Sequence, residues 1–324
     1  MTEHHMHTLA LPKSLSVAFA VTEIGPTAAA GDLFTAQELG DALQARFGWS
    51  VSYRPRGPGW YALEGVDLLV AMREDYDPNQ IRNAKPGLMT LGWARNCFED
   101  WARHPWVADF DHVLASSKLA GRFLSARLGR LVPMLRIAAN RARFNIEGRP
   151  LQPSLDFVFT GSFWGPMRDI ARVLPALPPD FNGAVYGRGW AECPGMARFD
   201  RGFLPYAELA AIYRQAAIVI DDANHVTKDW AAANSRVFDA LAAGCLVISN
   251  SRTVSDELFD GALPVYEDAA SLQALLARYL EDVPARESLQ ARLRAKVLGQ
   301  HCYEHRAFEL GLLMSRWVTG AGRS

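Results

Sequence analysis

The sequence lacks an excess of either charge, closely spaced cysteines and a long apolar run. Its 34 Lys and Arg residues nearly balance 35 Asp and Glu residues, so charge gives no reason to expect a nucleic acid or an anionic membrane as partner. The four cysteines form no C-x-x-C pair, which argues against a zinc ribbon or a disulfide framework and favours the cytoplasm. No stretch approaches the roughly 20 apolar residues of a membrane span. We therefore expect a cytoplasmic protein without a transmembrane segment.

The 324 residues, of which 49% are hydrophobic, are enough for two domains that each bury a core. Short apolar runs alternate with helical patterns, which is typical of an α/β fold with parallel sheets. The segment 140–154, "NRARFNIEGRPLQPS", is rich in Arg, Gly and Pro and interrupts the alternation like a linker. We predict two Rossmann-like, doubly wound domains at 1–146 and 147–302. Residues 1–13 would be a disordered leader, and 303–324 a helix that packs back toward the N-terminal domain.

The expected strands and helices follow from the apolar pattern. The predicted strands are 14–21, 49–53, 66–72, 88–94, 111–117 and 131–137 in the first domain, and 156–161, 183–187, 218–223, 245–250 and 263–267 in the second. The predicted helices begin at Gly31, Pro166, Pro205, Asn234, Val254, Ala269, Ala285 and Tyr303.

The first strand is followed by "TEIGPTAAAGD", which lacks the G-x-G-x-x-G of dinucleotide-binding folds. An NAD(P)-dependent oxidoreductase is therefore a weak alternative.

One helix carries polar residues that point to a nucleotide. "NSRVFDALAAG" places Val237 and Phe238 on an apolar side, with Ser235, Arg236 and Asp239 opposite. Asn234 and Ser235 suit the N-cap, so backbone N–H groups beside Arg236 would hold an anion, and Asp239 would accept hydrogen bonds from sugar hydroxyls. The alternative is an i,i+3 salt bridge on a capped surface helix.

An ordered set of segments carries a resemblance to a known family. In the C-terminal half these are "FVFTGSFWGPMRDI", "VYGRGW", "LPYAELAAIYRQA", "SRVFDALAAGCLVISN", "SDELFDG" and "YEHRAFEL", with "HVLASSKLAGRFLSARLG" and "LRIAANRARF" before them. The C-terminal segments resemble GT-B glycosyltransferases, specifically the CgeB-like, spore-maturation-type group, over roughly 156–310. The two earlier segments resemble parts of GT-B acceptor domains. The resemblance implies a GT-B fold whose two domains face each other across a cleft.

By the same resemblance the chain would be a metal-independent hexosyltransferase of bacterial-type glycan biosynthesis. It would hold no permanent cofactor and would use a UDP-, GDP- or dTDP-sugar as donor substrate. The acceptor would be a hydroxyl of a glycan, a protein or a small molecule. The second hypothesis is a GT-B-like module that binds a nucleotide sugar or a glycan without turning it over.

The donor site is assigned to the C-terminal domain. Asp239 would bind the ribose, Arg236 is the first choice for the diphosphate and Arg168 the second. The alternative for Arg168 is a surface helix residue paired with Asp169 or a neighbouring carboxylate. Retaining relatives carry a glutamate where this chain has Ala231, so that motif is incomplete. Asn224, His225 or Lys228 could substitute for it. The predicted donor-binding residues are Gly161, Ser162, Arg168, Tyr186, Gly187, Phe203, Leu204, His225, Asn234, Ser235, Arg236 and Asp239.

The acceptor side is assigned to loops of the N-terminal domain. We predict contacts from Gly31, Trp93, Arg95 and Asn96. Asp32 is the candidate general base, and the alternative is that it caps the first helix. Asp32, Arg168 and Arg236 form the predicted catalytic set.

Two further patterns bear on ligands. Asp221, Asp222 and His225 resemble a metal cluster, but adjacent acids on a strand face opposite sides, so we predict no metal ligand there. Tryptophans can stack on sugar rings, although domain-edge packing is the simpler reading for each one. The candidates are Trp93, Trp164, Trp190 and Trp230.

Overall fold

The computed structural model describes residues 14–163 and 168–318, and its chain divides into two compact units. Unit 1 comprises Met1–Ala94, Trp101–Leu114 and Tyr303–Ser324, and unit 2 comprises Arg95–Asp100 and Ala115–Cys302. The predicted leader at 1–13 lies outside the described residues. No helix in the described ranges is both long enough and apolar enough to cross a membrane.

Unit 1 is built on a five-stranded sheet of order β2-β1-β3-β4-β5. Parallel pairing joins β1 to β2, β1 to β3 and β3 to β4. The strands are β1 (Ser16–Val21), β2 (Ser50–Pro55), β3 (Leu68–Ala71), β4 (Met89–Ala94) and β5 (His112–Ala115). The first three helices of the chain are α1 (Gly31–Phe47), α2 (Phe98–Arg103) and α3 (Lys118–Leu128). Of these helices, α3 belongs to unit 2, and α2 is divided, with its first three residues in unit 2 and its last three in unit 1.

Unit 2 is built on a four-stranded parallel sheet of order β7-β6-β8-β9. Its strands are β6 (Leu155–Thr160), β7 (Gly183–Tyr186), β8 (Ala216–Asp221) and β9 (Leu246–Ser249). The remaining helices are α4 (Asp169–Val173), α5 (Leu209–Gln215), α6 (Ser235–Ala242), α7 (Arg252–Phe259), α8 (Ala269–Glu281), α9 (Val283–Gln300) and α10 (Tyr303–Val318). Helix α10 lies in unit 1, where it packs against α1.

The buried core of unit 2 explains why β8 reads as a continuous apolar run. All six residues of this strand are buried, because a parallel sheet is covered on both faces. Residues of α5, α6, α7, α8 and α9 join the strands in one hydrophobic cluster. The sheet can therefore hold the ends of its strands rigidly at one edge.

Two predicted strands are not strands in the structure. Within 131–137 and within 263–267, one residue each forms an isolated bridge, Met134 to Ala115 and Val265 to Ser249. Both segments are apolar because they lie beside a sheet edge, which the periodicity alone does not distinguish from a paired strand.

The predicted linker at 140–154 is anchored inside unit 2. Arg149 donates hydrogen bonds to the carbonyl oxygens of Tyr213, Arg214 and Ala216, at 3.3, 3.1 and 2.9 Å. The whole segment lies within unit 2, and the chain first crosses from unit 1 to unit 2 at Ala94 and Arg95.

Candidate functional site

The carboxyl ends of β6 and β8 place charged groups at one edge of the unit 2 sheet. The strands run parallel, so Thr160 and Asp221, at their last positions, come to the same edge. Ligands of open α/β sheets bind outside this edge. The residues gathered here include Arg168, Asp221, Asp222 and Arg236, which we call the arginine cluster.

Arg236 is held by the ends of both strands. Its Nη1 donates to Asp221 Oδ1 at 2.7 Å and its Nε to the Thr160 carbonyl oxygen at 2.7 Å. The guanidinium also lies over the Phe159 ring, with Cζ 4.5 Å from the centroid. The side chains of Arg236 and Asp221 are 10% and 1% exposed, so the pair is largely shielded from water.

Arg168 makes the second pair. Its Nε donates to Asp222 Oδ2 at 2.7 Å, its Nη2 to the Asp222 carbonyl oxygen at 2.7 Å and its Nη1 to the Ser162 carbonyl oxygen at 3.1 Å. The predicted alternative, a surface residue paired with Asp169 or a neighbouring carboxylate, is met in part: Arg168 does pair with a carboxylate, that of Asp222, but the two side chains are only 11% and 1% exposed. Like Arg236, it lies over the Phe159 ring, at 5.2 Å.

Gly161 lies directly against both guanidinium groups. A Cβ at this position would stand 2.8 Å from Arg236 Nη2 and 3.5 Å from Arg168 Nη1, and its φ is +149°. Only glycine adopts this backbone region without strain. The loop after β6 therefore brings bare backbone to two arginines, an arrangement suited to an anionic ligand.

A polar layer from neighbouring loops supports the cluster. Asn250 Nδ2 donates to Asp222 Oδ1 and to Asp169 Oδ2, both at 2.9 Å, and Lys228 Nζ donates to Asp169 Oδ2 at 2.6 Å. Ser249 Oγ donates to Asp221 Oδ2 at 2.7 Å. The carboxylates are thus oriented from the ends of β8 and β9 and from the loop that carries Lys228.

Two of these aspartates are shifted in opposite directions. Burial raises the pKa of Asp222 and outweighs the nearby charge of Arg168. Burial also acts to raise the pKa of Asp169, but hydrogen bonds from Lys228 and Asn250 prevail and hold that pKa below its ordinary value. Buried carboxylates this close to guanidinium groups neutralise much of the positive charge, so a phosphate would be recognised by the directed N–H groups more than by net charge.

The predicted donor helix is α6, and its cap differs from the prediction. Asn234 is the N-cap residue but makes no side-chain cap hydrogen bond; its Nδ2 donates to Asp221 Oδ1 at 3.3 Å. Asp239 is 2% exposed, so the predicted polar side of the helix is open only at its first turn, at Ser235 and Arg236. The ribose assignment of Asp239 stays a prediction, since a ribose reaches this carboxylate only if the groups that cover it move.

The loop after β7 runs alongside Gly161. Gly161 N donates to the Tyr186 carbonyl oxygen at 2.8 Å, and a Cβ on Gly187 would stand 2.2 Å from the Gly161 carbonyl oxygen. Gly187 N in turn donates to the Gly202 carbonyl oxygen at 2.9 Å. The next residue, Phe203, is 40% exposed. The structure thus brings Gly161, Ser162, Tyr186 and Gly187 together. Phe203 and the half-buried Leu204 follow directly after Gly202 in the chain.

The predicted acceptor residues are distributed over both units. Gly31, Asp32 and Trp93 belong to unit 1, whereas Arg95 and Asn96 belong to unit 2. Trp93 is fully buried, so it is not an accessible acceptor contact in this structure, which overturns that expectation. The backbone carbonyl of Arg95 accepts a hydrogen bond from Ser116 Oγ at 2.9 Å.

Asp32 does not cap its own helix, contrary to the expected alternative. The N-cap of α1 is Ala30, without a side-chain cap hydrogen bond. Asp32 Oδ2 accepts from Thr22 N at 2.6 Å and from Thr22 Oγ1 at 2.9 Å. The carboxylate therefore ties the residue after β1 to the start of α1, and its role as general base stays a prediction.

The candidate tryptophans differ in access. Trp190 is fully buried and donates from Nε1 to the Gly161 carbonyl oxygen at 2.7 Å, so it supports the loop instead of stacking on a sugar. Trp164 lies outside the described residues. Trp230 is half-buried and lines an open cavity of about 570 Å³. His225, predicted for the donor, also lines that cavity.

Sequence reasoning missed the Arg–Asp pairs and the cavity. An Asp-Asp pair at the end of a buried strand, with two arginines predicted at the same edge, was the available signal for the pairs. Nothing in the sequence pattern related the residues of α3 to the cavity. In the described ranges, no group of three or more His, Cys, Asp or Glu side chains is arranged to hold a metal ion.

Comparison with known proteins finds a family match for part of the sequence and solved structures with the same fold. Residues 167–310 match the model of the family described as "Glycosyl transferase-like". No curated protein sequence is significantly similar to the chain.

Three solved structures share the fold over most of their length. A sucrose-phosphate synthase from Thermosynechococcus elongatus is 14% identical with a TM-score of 0.65, covering 94% of this chain and 100% of that one. Anabaena HepE, in complex with UDP and glucose, is 10% identical with a TM-score of 0.65, covering 93% and 99%. The T4 phage enzyme BGT, in complex with UDP and Mn²⁺, is 10% identical with a TM-score of 0.60, covering 93% and 99%. The chain thus has the α/β fold of GT-B glycosyltransferases, and its residues 167–310, which include all four residues of the arginine cluster, match a glycosyl transferase-like family.

Proposed function

We propose that the protein is a glycosyltransferase that moves a sugar from a nucleotide-activated donor to an acceptor hydroxyl without a metal ion. The observation that carries this proposal is that Arg168 and Arg236 both lie against Gly161, at the carboxyl edge of the unit 2 sheet. The family match covers this edge from Arg168 onward. Two forked cations beside bare backbone suit a diphosphate.

The arginines would act on the leaving group. When the bond between the sugar and the diphosphate breaks, negative charge accumulates on the departing phosphate oxygens, and guanidinium N–H groups that are already oriented stabilise that charge. The N-terminus of α6, with Arg236 as its second residue, would add backbone N–H groups. These groups supply the charge stabilisation that a metal ion supplies elsewhere, which supports the metal-independent reaction.

Asp221 and Asp222 would position the arginines. Each carboxylate fixes one guanidinium, so both guanidinium groups are already oriented when the nucleotide sugar binds. The further donor contacts in this proposal are Ser162, Tyr186 and Gly187 from the loops and Asp239 for the ribose.

The first donor to test is UDP-glucose, because the fold is shared with HepE, whose structure contains UDP and glucose. GDP- and dTDP-sugars are the other candidates. Asp32 is proposed as the base that accepts the acceptor proton. A cytoplasmic location is supported by the four free thiols, since disulfides are rare in that compartment.

The test measures thermal unfolding of the full chain with UDP, GDP, ADP, CMP and dTDP. A nucleotide present at about 100 times its dissociation constant stabilises the folded state by roughly 2.7 kcal/mol. We expect a shift of the melting temperature with one nucleotide, lost in Arg236→Lys and in Arg168→Lys, because ammonium cannot replace the planar fork. Arg292→Ala, at an exposed position of α9, is the control that keeps the shift. An equal shift in all four proteins would contradict the site, and no shift with any nucleotide would contradict the proposal.

The second candidate is a module that binds a nucleotide sugar without turnover, and two observations favour it. Ala231 stands where retaining relatives carry a glutamate, and Asp239 is buried. Release of free glucose from UDP-glucose by the wild-type chain, absent in Arg236→Lys, separates the two. Catalysis predicts slow release, whereas the module predicts binding without release.

A further inference from the structure

Unit 2 contains a cavity lined in part by the residues on either side of Lys228. The cavity of about 570 Å³ is lined by two aromatic residues, one aliphatic residue and four polar residues. We call it the aromatic pocket: Phe123, Trp230, Leu119, Glu99, Arg122, His225 and Asp229. Its volume falls in the range of roughly 300–1,000 Å³ that is typical of ligand sites.

The aromatic wall of the pocket is held rigidly. The Trp230 ring contacts Phe98 and Phe123, with centroid distances of 5.3 and 5.0 Å and interplanar angles of 58° and 56°. Phe98 is fully buried and supports Trp230 from behind, while Trp230 and Phe123 remain half-buried. A preorganised aromatic wall of this kind binds a flat apolar face at low entropic cost.

The segment that carries Trp230 is fixed by its backbone. The Lys228 carbonyl oxygen accepts hydrogen bonds from Ser251 Oγ at 3.0 Å and from Thr253 Oγ1 at 2.8 Å. Trp230 N donates to the Thr227 carbonyl oxygen at 3.1 Å. Ala231 then takes φ +51° and ψ +27°, a left-handed conformation that costs a residue with a side chain roughly 1–2 kcal/mol. This turn sets the direction in which Trp230 leaves the backbone.

The rim chemistry selects a neutral polyhydroxylated ligand. Glu99 and Asp229 offer carboxylate acceptors, Arg122 offers donors, and His225 offers one of each when neutral. Two carboxylates against one guanidinium disfavour an anion. A purely aliphatic ligand would cover the four polar groups without giving them hydrogen-bond partners, which costs free energy. A sugar ring has an apolar C–H face for the aromatic wall and hydroxyl groups for the rim.

The same loop serves the pocket and the arginine cluster. Lys228 reaches Asp169 on the cluster side at 2.6 Å, while the residues on either side of Lys228 in sequence, His225, Asp229 and Trp230, line the pocket. We propose that the aromatic pocket binds a neutral sugar ring of a glycan acceptor. This inference rests on the proposed function, because it names the acceptor class of the same transfer reaction.

The test uses saturation-transfer NMR on the full chain with methyl glycosides of glucose, galactose, mannose and N-acetylglucosamine, with maltose and cellobiose. We expect at least one of these probes to bind wild-type protein and to bind Trp230→Ala about tenfold more weakly, whereas Trp230→Phe retains binding. Trp106→Ala is the matched control, since Trp106 is half-buried and stacked on His104 in unit 1. Arg122→Gln, at an exposed position, tests the rim without touching the core.

The comparison probes are glucose 6-phosphate and octanol. Stronger binding of either one than of every glycoside would overturn the assignment to a neutral sugar. Equal glycoside binding by wild type, Trp230→Ala and Arg122→Gln, or no glycoside binding by wild type, would overturn the pocket itself. If Trp230→Ala fails to fold, Arg122→Gln decides, and its expected result is weaker glycoside binding at an unchanged melting temperature.

A parallel UDP titration separates the two proposals. If UDP shifts the melting temperature and the pocket substitutions leave glycoside binding unchanged, only the acceptor inference fails. If the pocket substitutions weaken glycoside binding and no nucleotide binds, the proposed transfer reaction fails and the sugar site is retained.

Discussion

The loops that follow the first strand of each sheet, β1 in unit 1 and β6 in unit 2, carry opposite charges. After β1 in unit 1, the charged groups are acids that bind the protein's own backbone: Asp32 accepts from Thr22 N, and Glu23 Oε1 accepts from Ala29 N and Ala30 N at 2.6 and 2.8 Å. After β6 in unit 2, the charged groups beside Gly161 are guanidiniums held by aspartates. An acid that accepts backbone hydrogens closes a loop on itself, whereas a guanidinium presents donors that an anionic ligand can share. The loops after the first strands of two similar parallel sheets therefore offer different chemistry.

The largest expected effect comes from removing one arginine of unit 2. Arg236→Ala leaves Asp221, whose side chain is 1% exposed, as an unpaired buried charge. We expect the free energy of unfolding to fall by about 3–5 kcal/mol, measured by urea denaturation. This cost is the reason for using Arg236→Lys in the ligand experiments.

The partner substitution checks the cause of that loss. Asp221→Asn in the Arg236→Ala background removes the unpaired charge and recovers a large part of the stability. If the double variant is as unstable as the sum of the two single variants, the pair is not the unit that holds this edge together.

The next effect compares a glycine from each edge. Gly161→Ala puts a Cβ 2.8 Å from Arg236 Nη2 on a backbone with φ +149°, so we expect a loss of about 1–3 kcal/mol and weaker UDP binding. Gly31→Ala has no atom within 4 Å of the new Cβ and stands in the first turn of α1, so its stability should be unchanged or higher. Equal losses in urea denaturation would show that the two edges do not differ in this respect.

The smallest effect is a pH dependence of the layer that supports the arginine cluster. The pKa of Asp169 in the folded protein lies below its unfolded value, so the ionised carboxylate stabilises the fold above about pH 4 and loses that contribution as the pH falls further. We expect the stability difference between wild type and Asp169→Asn to shrink from pH 6 to pH 3, measured by urea denaturation at each pH. A difference that grows toward low pH would contradict the direction of the shift.

Most of the fold was predictable because it depends on local patterns. Nine of the eleven predicted strands correspond to β1 to β9, and the helices from α5 onward begin close to their predicted positions. The two failures, 131–137 and 263–267, are apolar segments that form single bridges. An apolar pattern indicates that a segment is buried. It does not distinguish a segment that lies beside a sheet from a strand that pairs within it.

The candidate site was predictable only in its parts. The arginines, Gly161 and the start of α6 were found because each follows a strand end or opens a helix. Their partners were missed, because the hydrogen bonds from Arg168 to Asp222 and from Arg236 to Asp221 join residues 54 and 15 positions apart. The burial of Trp93 and Asp239 was not predicted either, since exposure depends on what covers a residue from elsewhere in the chain.

The α/β class, the order of most strands and helices, and the residue types at the strand ends follow from the amino-acid sequence, because hydrophobic periodicity and capping chemistry act over a few neighbouring residues. The packing of distant segments fixes which aspartate holds which arginine, places Trp190 under a loop, and brings Phe123 on α3 to Trp230 in a pocket. These outcomes require segments far apart in the chain to meet, and the packing of the whole unit selects them.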